Sequence, residues 1–171
     1  SATNILLESS KDLEVCALLV EGLARTAGPA GLRDGFLVTT SLVSNYWDEL
    51  FPRLDPNDKD SMEDRVAAFA GLNGTGQSGP LARYIGLLDL TQGASGGDFR
   101  CHHYNRAAIV ARNPDPDARD QQVAALRYSL DDIEKAASET PASFFIEMAE
   151  SLAECREALK NLDQAFIDAC G

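Results

Sequence analysis

The hydrophobic positions of this chain recur every three or four residues over most of its length, the period of an amphipathic helix. The first run begins after Ser9 or Ser10, either of which can cap a helix, and stops at Gly28, where glycine accepts a left-handed conformation. A second run covers residues 30–50. The positions predicted to be buried in these two helices are Leu13, Cys16, Ala17, Val20, Leu23, Ala24, Leu32, Gly35, Phe36, Thr39, Leu42, Val43, Tyr46 and Leu50.

Glycine and proline divide the middle of the chain. Gly31 and Gly35 lower helix propensity, so we expect them to permit close contact between helices. Shorter helices are predicted from Ser61, which starts a capping pattern, and from Pro80. The glycine-rich stretch 71–79 between them predicts a flexible loop, and residues 89–104 lose the helical period.

The clearest periodicity lies after Asn113. Apolar residues step by three and four through residues 123–137, and again after Pro141. This spacing predicts an antiparallel helical hairpin joined around residues 138–140, with Thr140 capping its second arm. The second arm's seam is Phe145, Met148, Leu152, Cys155, Leu159, Leu162, Phe166 and Ala169. It either completes the chain's own bundle or leaves part of its surface for another chain.

The sequence therefore predicts an all-α fold, a bundle of about six helices that ends in the long helical hairpin. One small β-hairpin is possible near residues 89–104. We expect residues 1–112 to form an N-terminal helical domain and residues 113–171 to pack on it as the hairpin, unless the two form one continuous domain.

Charge narrows the choice of partners. The chain of 171 residues has 27 acidic and 15 basic residues, a formal net charge of −12, which disfavours nucleic acids and anionic membrane surfaces. No apolar run approaches the ~18 residues of a membrane span, and no signal-peptide pattern opens the chain. The four cysteines form no Cys-x-x-Cys pair, so we expect them to be reduced and the protein to be cytoplasmic, with protein partners.

Three patterns raise chemical alternatives. Residues 71–78 approach a phosphate-binding loop, but Gln77 stands where lysine is required. The acidic stretch 55–64 has Lys59 and Asp60 where a calcium loop needs an oxygen ligand and glycine. Cys101, His102 and His103 hold all the histidine, but adjacent residues on a strand point to opposite faces. We therefore assign no cofactor, metal or catalytic residue.

Three motifs carry a resemblance to a known family. The chain opens one helix with Lys11, Asp12 and Leu13, and closes the next with residues 46–55; Arg-x-x-Ala-x-x-Gly-Leu follows over residues 65–72. This ordered set resembles the ImpA-type N-terminal domain of the TssA family of the bacterial type VI secretion system. The residues that carry the resemblance are Lys11, Asp12, Leu13, Tyr46, Trp47, Asp48, Leu50, Pro52 and Arg65.

The resemblance implies a non-enzymatic, cytoplasmic assembly scaffold that binds sheath, baseplate or membrane-complex proteins. It also implies a fragment, because such proteins usually have a segment before the Lys11 helix and a separate C-terminal assembly region. The full-length protein is then expected to form homo-oligomers through a region absent here, and the fragment to be a monomer or dimer without membrane insertion.

Alternatives stay open at several positions. Lys11 and Asp12 serve either in an interaction or in capping and ion pairing. Trp47 is either a core residue, the favoured interpretation, or an interface anchor. A rival class is a small helical enzyme or ligand-binding domain with a pocket near residues 84–104, and a generic cytoplasmic helical adaptor shares every physical feature above.

Overall fold

The computed structural model describes residues 1–74 and 78–171 of the chain. Within them lie eight α-helices and a short 3-10 helix, Trp47–Glu49, and no strand. The all-α prediction is confirmed. The α-helices are α1 (Ala2–Glu8), α2 (Leu13–Tyr46), α3 (Ser61–Asn73), α4 (Pro80–Gly86), α5 (Cys101–Ala111), α6 (Pro116–Leu126), α7 (Leu130–Glu139) and α8 (Ala142–Cys170).

The start of α2 differs from the prediction. Helix α1 precedes it and buries Leu6; its seven residues are too few to show a clear period. The N-cap of α2 is Asp12, whose carboxylate accepts the backbone N–H of Glu14 at 2.8 Å and of Val15 at 3.3 Å. The cap predicted at Ser9 or Ser10 is therefore wrong. The Asp12 carboxylate accepts these bonds, and its negative charge is attracted to the positive end of the helix dipole.

The predicted break at Gly28 is confirmed. Gly28 has φ 56° and ψ −137° and divides α2 into a first arm, residues 13–27, and a second arm, residues 29–46. The two arms pack closely: a Cβ added at Gly35 would lie 3.0 Å from Val20 Cγ2, and one added at Gly31 would lie 2.2 Å from the Leu23 carbonyl oxygen. Both glycines thus permit the close contact expected of them.

The same break bears on a membrane assignment. By length and composition alone, Leu13–Glu49 is long and apolar enough to cross a bilayer. Gly28 instead folds this segment back on itself, and each arm contributes residues to the hydrophobic clusters of the protein.

The contacts divide the chain into two compact units. Unit one comprises Ser1–Tyr84 and Met148–Gly171, and unit two comprises Ile85–Glu147. The domain boundary expected between residues 112 and 113 stays a prediction.

Unit one has two adjoining hydrophobic clusters. In the first, α8 contributes Cys155, Ala158 and Leu162, which pack with residues of α2 and α3. The second joins α1, both arms of α2 and Leu50. The predicted seam of α8 is therefore only half buried: Leu152 and Leu159 are exposed, and Ala158 is buried in their place. Phe145, at the start of the seam, is exposed as well.

Unit two is built on α5, which contacts α6 and α7. The predicted first arm of a long hairpin is two helices, because Arg127 adopts a left-handed conformation (φ 67°) and Ser129 caps α7. Thr140 ends α7 and does not cap α8: its hydroxyl accepts the Gln92 N–H at 3.0 Å and donates to the Ala136 carbonyl at 2.9 Å. From Met148 onward, helix α8 packs in unit one. The expected hairpin of residues 113–171 stays a prediction.

The possible β-hairpin near residues 89–104 is reduced to one isolated bridge. Asp89 pairs with Arg100, and the Leu90 N–H donates to the Phe99 carbonyl at 2.7 Å. Residues 101–104 belong to α5. The hydroxyl of Thr91, a buried residue nearby, accepts the Phe99 N–H at 2.7 Å. This side-chain bond stabilises the turn in place of a longer strand pairing.

Candidate functional site

The family-motif residues converge in unit one, at the start of α2 and the end of its second arm. We refer to Lys11, Asp12, Leu13, Tyr46, Trp47, Asp48, Leu50, Pro52 and Arg65 as the motif cluster. A one-residue parallel bridge ties its two chain segments: the Leu13 N–H donates to the Phe51 carbonyl at 2.9 Å, and the Phe51 N–H donates to the Lys11 carbonyl at 2.8 Å. The motifs are therefore neighbours in space, although some 35 residues separate them in sequence.

Arg65 is the centre of the motif cluster. It is only 1% exposed, and its guanidinium donates to the backbone carbonyls of Pro52 at 2.7 Å, Trp47 at 2.8 Å and Leu50 at 3.1 Å. The guanidinium also lies 4.9 Å from the centre of the Trp47 ring, within reach of a cation–π interaction. Burial lowers the pKa of Arg65 from its ordinary value. Arg65 thus fixes the path of the chain after α2, a role that its place in the sequence motif did not reveal.

Lys11 and Asp12 both have partners in the backbone. The Lys11 ammonium donates to the Leu6 carbonyl at 2.7 Å and lies 5.6 Å from the centre of the Tyr46 ring. Asp12 is the N-cap of α2. The sequence left two roles open for this pair, an interaction or capping and ion pairing. These contacts match capping and stabilisation of the helix end. Lys11 bonds a carbonyl and not a carboxylate.

Trp47 lies at the boundary between core and surface. Its ring is half-buried and meets the Phe166 ring edge-on, with centroids 6.3 Å apart, whereas Leu13 and Leu50 beside it are fully buried. This packing favours the core role of Trp47. Phe166 also contacts Phe69, with ring centroids 5.5 Å apart, so α8 and α3 both support the indole.

Two aromatic side chains of this region face solvent. Tyr46 is 41% exposed, contrary to the burial predicted for it, because α2 ends there and the chain turns into the 3-10 helix. Phe51 is 42% exposed, and the Arg53 guanidinium lies 4.8 Å from its ring centre. We refer to these two exposed rings, Tyr46 and Phe51, as the aromatic surface. Lys11 approaches the Tyr46 ring with its ammonium and accepts the Phe51 N–H with its backbone carbonyl.

The residues proposed for a rival pocket have other roles. In unit one, the Tyr84 hydroxyl donates to Glu21 at 2.8 Å. In unit two, His103 Nδ1 accepts the Arg100 N–H at 3.0 Å, and His102 Nδ1 lies 2.9 Å from the Gly86 carbonyl oxygen.

The two histidines lie in the first turn of α5, with ring centroids 4.0 Å apart. The strand geometry expected for them is therefore wrong. Burial raises the pKa of the Cys101 thiol, which disfavours the reactive thiolate. The His103 ring also packs edge-on against Phe99 and Tyr128, as in the aromatic cluster of a small core.

The acidic stretch 55–64 bonds to itself. Asp55 accepts the Asn57 N–H at 2.8 Å, and Asp58 accepts the Asp60 N–H at 3.0 Å, as in Asx turns. Among residues 1–74 and 78–171, no group of three or more His, Cys, Asp or Glu side chains is arranged to hold a metal ion. The phosphate-loop-like stretch includes residues 75–77 and so lies partly outside the described residues.

Residues 1–74, which contain the whole motif cluster, match the family described as ImpA, N-terminal, type VI secretion system. The chain therefore carries a helical N-terminal domain of the ImpA type. It is similar to a solved structure from Burkholderia cenocepacia, the N-terminal domain including the conserved ImpA_N region of the TssA component of the type VI secretion system. The TM-score is 0.84 at 26% identity, over 99% of this chain and 65% of that one.

A curated relative extends the comparison. The type VI secretion system component TssA1 of Pseudomonas aeruginosa is 29% identical over 119 residues, which are 70% of this chain and 33% of that protein. By the family match, the curated relative and the fold, the chain is similar to TssA components of the type VI secretion system. The chain spans about a third of the length of this curated relative.

Proposed function

We propose that the chain is a non-enzymatic assembly scaffold of the type VI secretion apparatus, and that it acts by binding other proteins of that apparatus in the cytoplasm. The observation that carries this proposal is the organisation of the motif cluster. Lys11 and Asp12 bond to the backbone at the start of α2, and Arg65 bonds to the backbone that follows the end of α2. Beside this frame, the aromatic rings of Tyr46 and Phe51 are exposed to solvent.

The aromatic surface has the composition of an interaction site. Tyrosine and phenylalanine supply large contact areas, and tyrosine is enriched among residues that dominate binding energy. Arg53 over Phe51 and Lys11 near Tyr46 place cations at the aromatic surface of a chain with net charge −12. We therefore propose Tyr46 and Phe51 as direct partner contacts, and the remaining motif residues as the frame that positions them.

The experiment is a binding assay between this chain and separately purified sheath, baseplate and membrane-complex components. We expect at least one component to bind, and Tyr46→Ala combined with Phe51→Ala to weaken that binding about tenfold or more, as loss of hot-spot residues does. Tyr104→Ala is the matched control, because Tyr104 is similarly exposed in unit two. If the double variant binds every component with the same affinity as the parent chain, the role of the aromatic surface is refuted.

The rival, a metal or ligand site near Cys101, His102 and His103, has a separate test. Metal analysis of the purified protein, repeated after alanine replacement at these positions, is expected to show no stoichiometric zinc in either sample. Tight stoichiometric zinc that the replacements abolish would favour the rival over the scaffold proposal.

A further inference from the structure

A groove of about 390 Å³ lies in unit one, between the first arm of α2 and α3. The most buried of its lining residues are Ala17 and Leu72. From α3 it is lined by Ala67, Ala68 and Gly71, and a Cβ added at Gly71 would meet no described atom within 4 Å. A wall of small side chains leaves room for another helix to approach the backbone of α3 closely.

The opposite wall of the groove combines charge and apolar area. Glu14, Leu18 and Glu21 line it from α2. Steps of four and three residues place them on one helix face, with the carboxylates about 10 Å apart along the axis at ~1.5 Å per residue. Leu18 is 64% exposed, which is unusual for a leucine beside a groove with a buried floor. An exposed apolar residue rimmed by charges is typical of a protein-binding surface.

We propose that this groove binds an amphipathic helix of a partner protein whose interacting face carries two basic residues seven positions apart and an apolar residue between them. The basic residues pair with Glu14 and Glu21, and the apolar residue packs between Leu18 and Ala67. Charge complementarity carries this choice of partner: the described lining residues include two carboxylates and no lysine or arginine. Binding a helix by its apolar face in a hydrophobic groove is an established mode of peptide recognition.

The two carboxylates are not equivalent. Glu21 accepts a hydrogen bond from Tyr84 at 2.8 Å, and the positive charges of Arg25 and Arg83 act on that phenol. The field at the Glu21 end is therefore less negative than at the Glu14 end. A basic residue of the partner gains most at Glu14, so Glu14 is the position to test. This inference goes beyond the proposed function, since it concerns a surface that shares no residue with the aromatic surface.

The probe is a synthetic helical peptide of about five turns with lysines at the first and eighth positions of its interacting face and leucine at the fifth. Its binding is measured by fluorescence anisotropy. We expect Glu14→Lys to weaken binding about tenfold at low salt, with a smaller loss for Glu14→Gln, and the affinity of the parent chain to fall as salt shortens the Debye length to ~8 Å. Ala67→Leu, which fills the groove with an exposed side chain, is expected to weaken binding by a similar factor.

Matched controls separate the groove from general charge attraction. Glu150→Lys changes the net charge as Glu14→Lys does, and Ala149→Leu adds the same side chain as Ala67→Leu; both positions are exposed on α8. Circular dichroism melting shows that each variant is folded. Equal losses for Glu14→Lys and Glu150→Lys, parental affinity of Ala67→Leu, or no binding by the parent chain would each overturn the proposal. The combined Tyr46→Ala and Phe51→Ala variant should bind this peptide normally, so failure here and failure of the proposed function are distinguishable.

Discussion

Replacing Arg65 by methionine should destabilise unit one strongly, although the residue touches no ligand. The substitution keeps an unbranched side chain of similar length but removes the three hydrogen bonds, 2.7, 2.8 and 3.1 Å long, to backbone carbonyls. Hydrogen bonds to a charged group contribute about 1.5–3 kcal/mol each, and the cation–π contact adds ~1 kcal/mol.

Desolvation of the guanidinium, which also lowers the pKa of Arg65, offsets part of that gain. Arg65→Met leaves three carbonyls without their donor, and at about 1–3 kcal/mol for each buried acceptor left unsatisfied, we expect a net cost of about 3–5 kcal/mol. For a chain of this size, that corresponds to a loss of about 6–20 °C in melting temperature. Arg65→Lys should lie between the parent and Arg65→Met, since lysine keeps the charge but lacks the planar fork that spans three carbonyls.

The assay uses a built-in reporter. Trp47 is the only tryptophan of the chain, and its ring lies 4.9 Å from the Arg65 guanidinium. Urea titrations followed by tryptophan fluorescence therefore report on the motif cluster, and circular dichroism reports on the helices as a whole. Arg156→Met, at an exposed position on α8, is the control and should stay within ~0.5 kcal/mol of the parent. If Arg65→Met is as stable as that control, the structural role assigned to Arg65 is wrong.

Three further predictions concern stability. Trp47→Ala should lower the melting temperature by several degrees through lost packing; if this variant melts like the parent but loses a partner, Trp47 is an interface residue. Gly31→Ala should cost about 1–3 kcal/mol in urea unfolding, because its Cβ would lie 2.2 Å from the Leu23 carbonyl oxygen, whereas Gly22→Ala has open space and should be neutral or stabilising. Burial and nearby positive charges lower the pKa of His103 below its ordinary 6.5, so the folded chain binds fewer protons than the unfolded chain. Stability should therefore be full above pH 6.5 and fall as pH drops through the lower folded pKa, and His103→Gln should remove that part of the pH dependence in urea titrations.

The conformational preferences of single residues predicted the path of the backbone in the N-terminal region well. Gly28 followed by proline predicted the break in α2, and the small side chains at Gly31 and Gly35 predicted the close contact of its arms. These signals succeed because they depend on the conformation or size of a single residue. The cap of α2 was misplaced by a few residues, since serine and aspartate both cap helices and only the structure shows that Asp12 accepts the bonds.

Long-range partners were harder to anticipate. The apolar period of α8 predicted a continuous buried seam. The period alone does not predict that α2 and α3 cover only one side of this seam. Arg127 in a left-handed conformation interrupts the predicted arm through residues 123–137, and nothing in an arginine signals that choice. The buried role of Arg65 had no signal in the sequence, because an arginine that follows acidic residues on a helix is typical of a solvent-exposed position.

The order of segments in unit one has a consequence for biosynthesis. The partners of Ala17 and Val20 include Cys155 and Leu162, about 140 residues later in the chain. A nascent polypeptide leaving the ribosome would expose the apolar faces of α2 until α8 emerged, while unit two, whose segment is continuous, had already been synthesised. Chaperone dependence during translation should therefore concentrate on the N-terminal helices.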